Sequence, residues 1–274
     1  MSALRVVVGH LYPDYLNIYA DRGNMAVLER RAGWRGIAFD YRSVGLGERV
    51  VPGEHDLLYI GGGQDREQER IAPDLIARGA ALKEEFELGM PALVVCGGFQ
   101  LFGRSYLGAD GKPMPGIGLY DMETRHPGPG SERCIGDVVM ETELGDVVGF
   151  ENHGGRTYLD PGQQAFGAIV HGHGNNDEDG SEGARKFNTY GTYLHGSVLP
   201  KNPRLADELI RLALERRSGS TIELAPLDDS AEMAAHRSAA ATAERRDAKA
   251  QQGRSPGALF RRTRARLLDL AGRG

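Results

Sequence analysis

The sequence predicts an α/β protein in which a mostly parallel central sheet is flanked by helices, with an additional, partly antiparallel section. Two observations carry this prediction. Short apolar runs alternate with helical patterns in the first part of the chain, which is typical of a parallel sheet covered on both faces. The middle of the chain carries successive strand candidates separated by loops rich in glycine, asparagine and aspartate, which favours antiparallel pairing.

The first part of the chain is predicted to consist of strands that alternate with helices. Strands are predicted at residues 4–8, 56–60 and 92–95, and helices at 24–31 and 67–88. Apolar residues recur at helical spacing in both helices. The second and third strands end abruptly in glycines, and a short helix is expected after the third.

The later part of the chain is predicted to complete one domain over residues 1–226. Strand candidates follow one another at residues 137–140, 147–150, 166–170 and 189–194. A helix over 203–217 has an apolar face and is expected to close the domain. Residues 227–274 form an Ala- and Arg-rich C-terminal extension, helical or mobile, whose last segment has an arginine-laden helical pattern.

Composition narrows the classes of function. The 274 residues are 40% hydrophobic and 26% charged, the mixture of a soluble globular protein. The formal net charge of −5 argues against a nucleic-acid partner. Without a long apolar run or a signal-peptide pattern, we expect a cytoplasmic protein with no direct membrane insertion. Two cysteines cannot form a disulfide scaffold or a four-cysteine zinc site, and no metal or cofactor is predicted.

Cys96 is the predicted nucleophile. In VVCGGFQLFG a strand runs straight into Cys96, which is followed by two glycines and a helix start, the layout of a nucleophile elbow. The glycines permit a strained turn, and the helix N-terminus favours a thiolate. The alternative is a buried structural cysteine, which would need no glycine pair. Cys134, in SERCIGDV, has no such turn and keeps the structural interpretation.

A cysteine nucleophile needs a base, and the histidines are the candidates. His195 ends a strand-like run in TYLHGSVLPKNP, where a side chain at the carboxyl edge of a sheet can reach a neighbouring elbow. His153, in GFENHGGRTYL, is the second candidate, although its asparagine and glycine neighbours suit a substrate-binding or structural loop equally well. We therefore favour His195.

The triple glycine of YIGGGQDREQ is the candidate source of oxyanion donors. It follows a predicted strand and offers unhindered backbone N–H groups. We predict an oxyanion hole formed by Gly62 and Gly63 together with the amide of Gly97. The alternative is a phosphate-binding loop, but neither a Gly-Lys-Ser/Thr ending nor a Gly-x-Gly-x-x-Gly pattern is present.

Six segments together resemble one family. In chain order they are LYPDYLNIYADRGN, YIGGGQDREQ, VVCGGFQLFG, GFENHGGRTYL, GHGNNDEDGSEGAR and TYLHGSVLPKNP, and they cover most of residues 1–205. Their order resembles that of the class I glutamine amidotransferases, in the cobyric-acid-synthase-type branch. It is more closely similar to the glutaminase subunits of bacterial lipid II isoglutaminyl synthases. The resemblance implies the class I glutamine amidotransferase fold.

The resemblance also implies roles for individual residues. Cys96 would form a γ-glutamyl thioester, His195 would carry the proton to departing ammonia, and Gln100 would help to hold glutamine. Arg133 matches a family arginine whose guanidinium would pair with the substrate α-carboxylate; a surface arginine is the alternative. The sequence departs from the class pattern after His195, because a Gly-Ser pair replaces the His-x-Glu that supplies a third triad member. That third catalytic group is not identified.

A glutaminase needs an acceptor enzyme that consumes its ammonia, and this chain has no ATP-binding motif. The resemblance implies a heterodimer with a Mur-ligase-like synthetase that uses ATP to convert the D-glutamate of lipid II to D-isoglutamine in peptidoglycan synthesis. Contact with the membrane would then be indirect, through lipid II. Two alternatives stay open: a glutaminase for cobyrinate-type amidation, and a non-catalytic scaffold subunit of the same fold.

Overall fold

A computed structural model of the chain describes residues 4–18, 22–195 and 198–252. Its elements follow in chain order: β1 (Arg5–Leu11), α1 (Arg22–Trp34), β2 (Ala38–Val44), β3 (Leu57–Ile60), α2 (Asp65–Glu87), β4 (Ala92–Val95), α3 (Gly97–Phe102), β5 (Ser105–Leu107), β6 (Pro113–Pro115), β7 (Met122–Arg125), β8 (Cys134–Thr142), β9 (Gly145–His153), β10 (Arg156–Leu159), β11 (Gly167–His171), β12 (Ser181–Glu182), β13 (Ala184–Lys186), β14 (Thr189–Thr192), a 3₁₀ turn (Leu199–Lys201), α4 (Pro203–Ser218) and α5 (Ser230–Gln252).

The central sheet has six strands in the order β13-β14-β4-β3-β1-β2. All of its pairings are parallel except that of β13 with β14, which confirms the predicted mostly parallel sheet. Every residue of β3, β4 and β14 is buried, as expected for strands that are covered on both faces. Buried apolar residues of α1, α2 and α4 join the same core.

Two four-stranded sheets, β10-β7-β5-β6 and β12-β11-β8-β9, form the additional section. Their pairings are antiparallel except that of β5 with β7. The prediction of a partly antiparallel section is therefore confirmed.

Some strands differ from the prediction. The sequence predicts residues 189–194 as a strand of the additional section, but β14 joins the central sheet, parallel to β4, with Thr192 opposite Val95. Strand β2 was not predicted, because it is an edge strand whose residues are mostly exposed or half-buried. The sequence analysis also does not predict six short strands, each of two to four residues, too few for a clear period: β5, β6, β7, β10, β12 and β13.

The chain ends in two helices. Helix α4 confirms the one predicted over 203–217, and α5 lies within the C-terminal extension. Ala243 of α5 is buried against Val139 and Val148, so α5 packs on the sheet that contains β8 and β9. The division at residue 226 stays a prediction, and the arginine-laden pattern lies outside the described residues. None of the helices in the described ranges has both the length and the apolarity needed to cross a bilayer.

Candidate active site

Cys96 occupies the turn between β4 and α3. Its backbone has φ 48° and ψ −105°, a positive-φ conformation that is strained for a residue with a side chain. The Cys96 N–H donates to Thr192 O of β14 at 2.8 Å, and the Gln100 N–H donates to Cys96 O at 2.9 Å. The strand, cysteine and helix thus have the arrangement of a nucleophile elbow.

The glycines after Cys96 are required because two chain segments come very close here. A Cβ atom added to Gly97 would lie 2.9 Å from Gly63 N, and one added to Gly98 would lie 2.9 Å from Gly61 O. The Gly98 N–H also donates to Gly61 O at 3.2 Å. The triple glycine after β3 and the elbow after β4 are therefore in backbone contact, at the carboxyl ends of neighbouring parallel strands.

Cys96 and His195 both pack against Gly62. A Cβ atom added to Gly62 would lie 3.2 Å from Cys96 Cβ and 2.9 Å from His195 Cε1. His195 follows β14, and its N–H donates to Phe150 O of β9 at 2.6 Å. Because β14 pairs with β4 in parallel, the residues that follow these two strands meet at one edge of the sheet.

The His195 imidazole is buried, with 3% of the residue exposed. Burial, and to a smaller extent the electrostatic effect of neighbouring His153 and Arg133, lowers the pKa of His195 to about 4, whereas the backbone of Asn152 acts in the opposite direction. The imidazole is consequently neutral at neutral pH. A neutral imidazole beside a thiol can accept its proton.

A backbone amide of the triple glycine lies close to the elbow. The Ile18 N–H donates to Gly62 O at 3.2 Å. Since the C=O and N–H of a trans peptide point in opposite directions, the Gly63 N–H points away from Ile18. Gly63 N lies 2.9 Å from the position of a Cβ atom on Gly97. The structure therefore brings Gly62, Gly63 and Gly97 together beside Cys96, where backbone amides can stabilise an oxyanion.

A cleft of about 570 Å³ opens over these groups. Five of the predicted site residues line it: Gly63, Cys96, Gln100, Arg133 and His195. Several lining residues were not assigned a role from the sequence, among them Gln68, Tyr106 and Asn152. They come from segments that are distant in the chain, so only the folded structure identifies them as neighbours.

Arg133 lies one residue before β8, on the wall of the cleft. Its Nε donates to Asn152 Oδ1 and its Nη2 donates to Asn152 O, both at 2.9 Å. Its Nη1 lies 3.2 Å from the position of a Cβ atom on Gly154. The guanidinium is thus held at the end of β9 beside the cleft, which suits binding of a carboxylate.

The side chain of Gln100 is buried and belongs to a hydrogen-bond chain. Its Oε1 accepts from Gln68 Nε2 at 3.1 Å, and its Nε2 donates to the Tyr193 hydroxyl at 3.2 Å. Gln68 Nε2 also donates to Gly63 O at 3.3 Å. These hydrogen bonds connect Gly63, in the loop after β3, to Gln100 of α3 and then to Tyr193, which lies two residues before His195.

His153, the second candidate base, is held by a different set of contacts. Its ring stacks on Tyr193, with 3.6 Å between ring centroids. Its Nδ1 lies 2.8 Å from Gly155 O, and its Nε2 lies 3.6 Å from Glu151 Oε2. Glu151 accepts hydrogen bonds from two backbone N–H groups of the loop after β11. These contacts favour a structural role for His153.

The sequence of this chain is similar to those of known proteins. A family model described as a CobB/CobQ-like glutamine amidotransferase domain matches residues 7–203, a range that includes all seven predicted site residues. The GatD subunit of lipid II isoglutaminyl synthase (glutamine-hydrolyzing) from Staphylococcus aureus is 42% identical, over 84% of this chain and 93% of its own length. The GatD subunit from Streptococcus pneumoniae is 37% identical, over 81% of this chain and 85% of its own.

The likeness extends to solved structures. A crystal structure of a glutamine amidotransferase superposes with a TM-score of 0.50 at 16% identity, covering 75% of this chain and 98% of that one. At this identity the likeness concerns the fold alone, and it agrees with the predicted fold class.

Proposed function

The chain belongs to the CobB/CobQ-like glutamine amidotransferase family, and from this premise we propose that it is the GatD-type glutaminase subunit of a lipid II isoglutaminyl synthase. It hydrolyses L-glutamine in the cytoplasm and delivers ammonia to a MurT-like Mur ligase. That partner amidates the D-glutamate α-carboxylate of lipid II to D-isoglutamine, using ATP. The observation that carries the proposal is the meeting of Cys96 and His195 at Gly62.

The extent of the similarity favours this function over a cobyrinate-type amidation. The chain spans 93% and 85% of the two GatD subunits, and these are named as subunits of a synthase. A catalytic role is favoured over a scaffold role because the strained Cys96 turn and the neutral His195 are both present. Strain of this kind is maintained only where the surrounding structure enforces it, and it is concentrated at functional sites.

The first half of the reaction forms a thioester. Neutral His195 accepts the thiol proton of Cys96 while the sulfur attacks the side-chain carboxamide carbon of glutamine. The amides of Gly63 and Gly97, with Gly62 beside them, stabilise the negative charge on the carboxamide oxygen. His195 then gives its proton to the departing nitrogen, the carbon–nitrogen bond breaks, and ammonia leaves a γ-glutamyl thioester on Cys96.

The second half regenerates the enzyme. Water loses a proton to His195 and attacks the thioester carbon, and the same amides stabilise the second oxyanion. The carbon–sulfur bond breaks, the Cys96 sulfur regains the proton, and glutamate is released. We infer that the backbone of Asn152, which raises the pKa of His195, orients the imidazole, the task that a third triad residue performs elsewhere.

Arg133→Ala is expected mainly to weaken glutamine binding. The Arg133 guanidinium lies on the cleft wall, fixed by Asn152, and pairs with the α-carboxylate of the substrate. A hydrogen bond to a charged group is worth about 1.5–3 kcal/mol, so KM should rise roughly 10- to 100-fold with little change in kcat. The control is Arg125→Ala, which removes an exposed arginine paired with Glu123. An unchanged KM for glutamine would make Arg133 a surface arginine.

The pKa of His195 sets the acid limb of the glutaminase pH profile. The imidazole must be neutral to accept the thiol proton, so kcat/KM falls when His195 becomes protonated in the free enzyme. Because burial lowers this pKa to about 4, we expect kcat/KM to hold down to about pH 5 and to fall below about pH 4. The measurement is kcat/KM across this range, with circular dichroism at each pH. An acid limb near the ordinary histidine pKa of about 6.5 would contradict a buried neutral base.

Reconstitution tests the proposed function. This chain and a MurT-like synthetase should form a stable heterodimer, and neither alone should amidate lipid II from glutamine. With both proteins, ATP and glutamine labelled with nitrogen-15 in its side-chain amide, mass spectrometry should find the label in D-isoglutamine. A cobyrinate substrate replaces lipid II in a parallel reaction. Labelling of cobyrinate alone, or ATP consumption by this chain alone, would refute the proposal.

A further inference from the structure

Gln68, in the second turn of α2, lines the cleft and has a buried hydrogen-bond acceptor that the described residues leave unused. The residue is 2% exposed and lines the cleft. Its Oε1 is buried and has no hydrogen-bond partner within the described residues. A buried acceptor without a donor is costly to the fold, which suggests that a ligand supplies the missing donor.

The orientation of the Gln68 carboxamide follows from its neighbours. Its nitrogen lies 3.3 Å from Gly63 O and 3.1 Å from Gln100 Oε1. A backbone carbonyl can only accept a hydrogen bond, so the atom that faces Gly63 O must be the nitrogen. Both N–H groups of Gln68 are then committed to protein acceptors, and only Oε1 remains for a substrate.

The position of this acceptor identifies the part of glutamine that it meets. A Cβ atom on Gly97 would lie 3.1 Å from Gln68 Cδ and 2.9 Å from Gly63 N. The Gln68 carboxamide therefore lies with the amides that we assign to the oxyanion hole. Arg133, which we assign to the α-carboxylate, extends from the turn at the start of β8. Gln68 thus serves the carboxamide end of the substrate.

We propose that Gln68 Oε1 accepts a hydrogen bond from the side-chain N–H₂ of glutamine, and so distinguishes glutamine from the glutamate that the reaction releases. An acceptor oxygen beside the oxyanion amides would repel the carboxamide oxygen, so it faces the carboxamide nitrogen. Glutamate has a carboxylate in place of this N–H₂ group, and two acceptor oxygens would then face each other. The inference rests on the proposed glutaminase function.

The test compares two substrates with the same acyl group, of which only glutamine has a side-chain N–H donor. L-Glutamine carries side-chain N–H groups, whereas L-glutamate γ-methyl ester has the same acyl group and no side-chain N–H. For Gln68→Met, measured on the full chain with its synthetase partner, kcat/KM for glutamine should fall roughly 10- to 100-fold, as for loss of a buried hydrogen bond. The fall for the ester should be about tenfold or more smaller. Loss of the two Gln68 N–H groups that hold Gly63 O and Gln100 Oε1 affects both substrates alike, whereas only glutamine also loses a hydrogen bond to Oε1.

Two controls separate the possible outcomes. Gln164→Met changes an exposed glutamine that does not line the cleft and should alter neither substrate. An equal loss with both substrates for Gln68→Met would overturn the proposal, because it would mean that Gln68 only supports the fold or meets the α-ammonium group. A wild-type complex without glutaminase activity would instead refute the function itself.

A binding measurement does not depend on folding of the Gln68 variant. In a Cys96→Ala complex, which cannot turn over, calorimetry should give glutamine a dissociation constant about tenfold or more below those of the γ-methyl ester and of glutamate. Equal affinity for glutamine and the ester would overturn the proposal.

Discussion

Cys96→Ala is expected to abolish glutamine hydrolysis while the fold stays intact. Without the sulfur no thioester can form, and the remaining oxyanion amides and His195 cannot replace a nucleophile. Alanine fits the turn as well as cysteine does, because the strained backbone at φ 48° is held by the surrounding hydrogen bonds. Ammonia release, measured alongside the thermal unfolding midpoint, checks both parts. Retained ammonia release by a folded Cys96→Ala variant would exclude Cys96 as the nucleophile.

Cys134 provides the matched control. It is the other cysteine of the chain, 1% exposed at the start of β8. Cys134→Ala should keep glutaminase activity. A glutamine-mimicking electrophile should label Cys96 and leave Cys134 unmodified, because Cys96 alone lies in the cleft beside a base. Peptide mapping that placed the label on Cys134 would reverse the assignment.

His195→Ala is expected to lower kcat by roughly two to four orders of magnitude, the usual range for loss of an acid/base group. In the proposed mechanism both halves of the reaction move a proton through this imidazole, so acylation and deacylation should slow together. The measurement is steady-state glutamine hydrolysis by a variant whose circular dichroism matches that of wild type. His195→Gln, which keeps a polar side chain of similar reach but no base, should be similarly impaired.

His153→Ala distinguishes the two candidate bases. The His153 ring packs on Tyr193, and its nitrogens face Gly155 O and Glu151, so its loss should disturb packing more than proton transfer. We expect a smaller fall in kcat than for His195→Ala, with a lower unfolding midpoint. If His153→Ala reduced kcat more than His195→Ala did, the base would have to be reassigned.

The elbow could be predicted from the sequence because its signals are local. A strand, Cys96 and two glycines are contiguous, and the close approach of Gly97 and Gly98 to the triple glycine explains why no side chain is tolerated at either position. The triple glycine was likewise recognisable at the end of its strand. In both cases the backbone geometry requires glycine, so the residue types themselves indicate the close approach.

The partners of Cys96 depend on pairings that the sequence does not encode locally. The sequence predicts the strand before His195 as part of the partly antiparallel section. In the structure this strand pairs in parallel with β4, and that pairing places His195 beside the elbow. We propose that the backbone of Asn152 orients His195, and a backbone group has no residue-type signature. From the sequence, Gln68 cannot be distinguished from other polar residues of a helix, because only the structure shows that it lies beside Gly63 and Gln100.

The central claim is that this chain supplies ammonia and its partner uses it. The most direct measurement uses a complex of the Cys96→Ala chain with the MurT-like synthetase. The complex is supplied with ATP, lipid II and one nitrogen source, either glutamine or concentrated ammonium. Mass spectrometry then follows conversion of the D-glutamate α-carboxylate to the amide. We predict that this complex amidates lipid II from ammonium as the wild-type complex does, and that it makes no amide from glutamine. Equal amidation from glutamine by the Cys96→Ala complex would contradict the assignment of this chain as the glutaminase subunit.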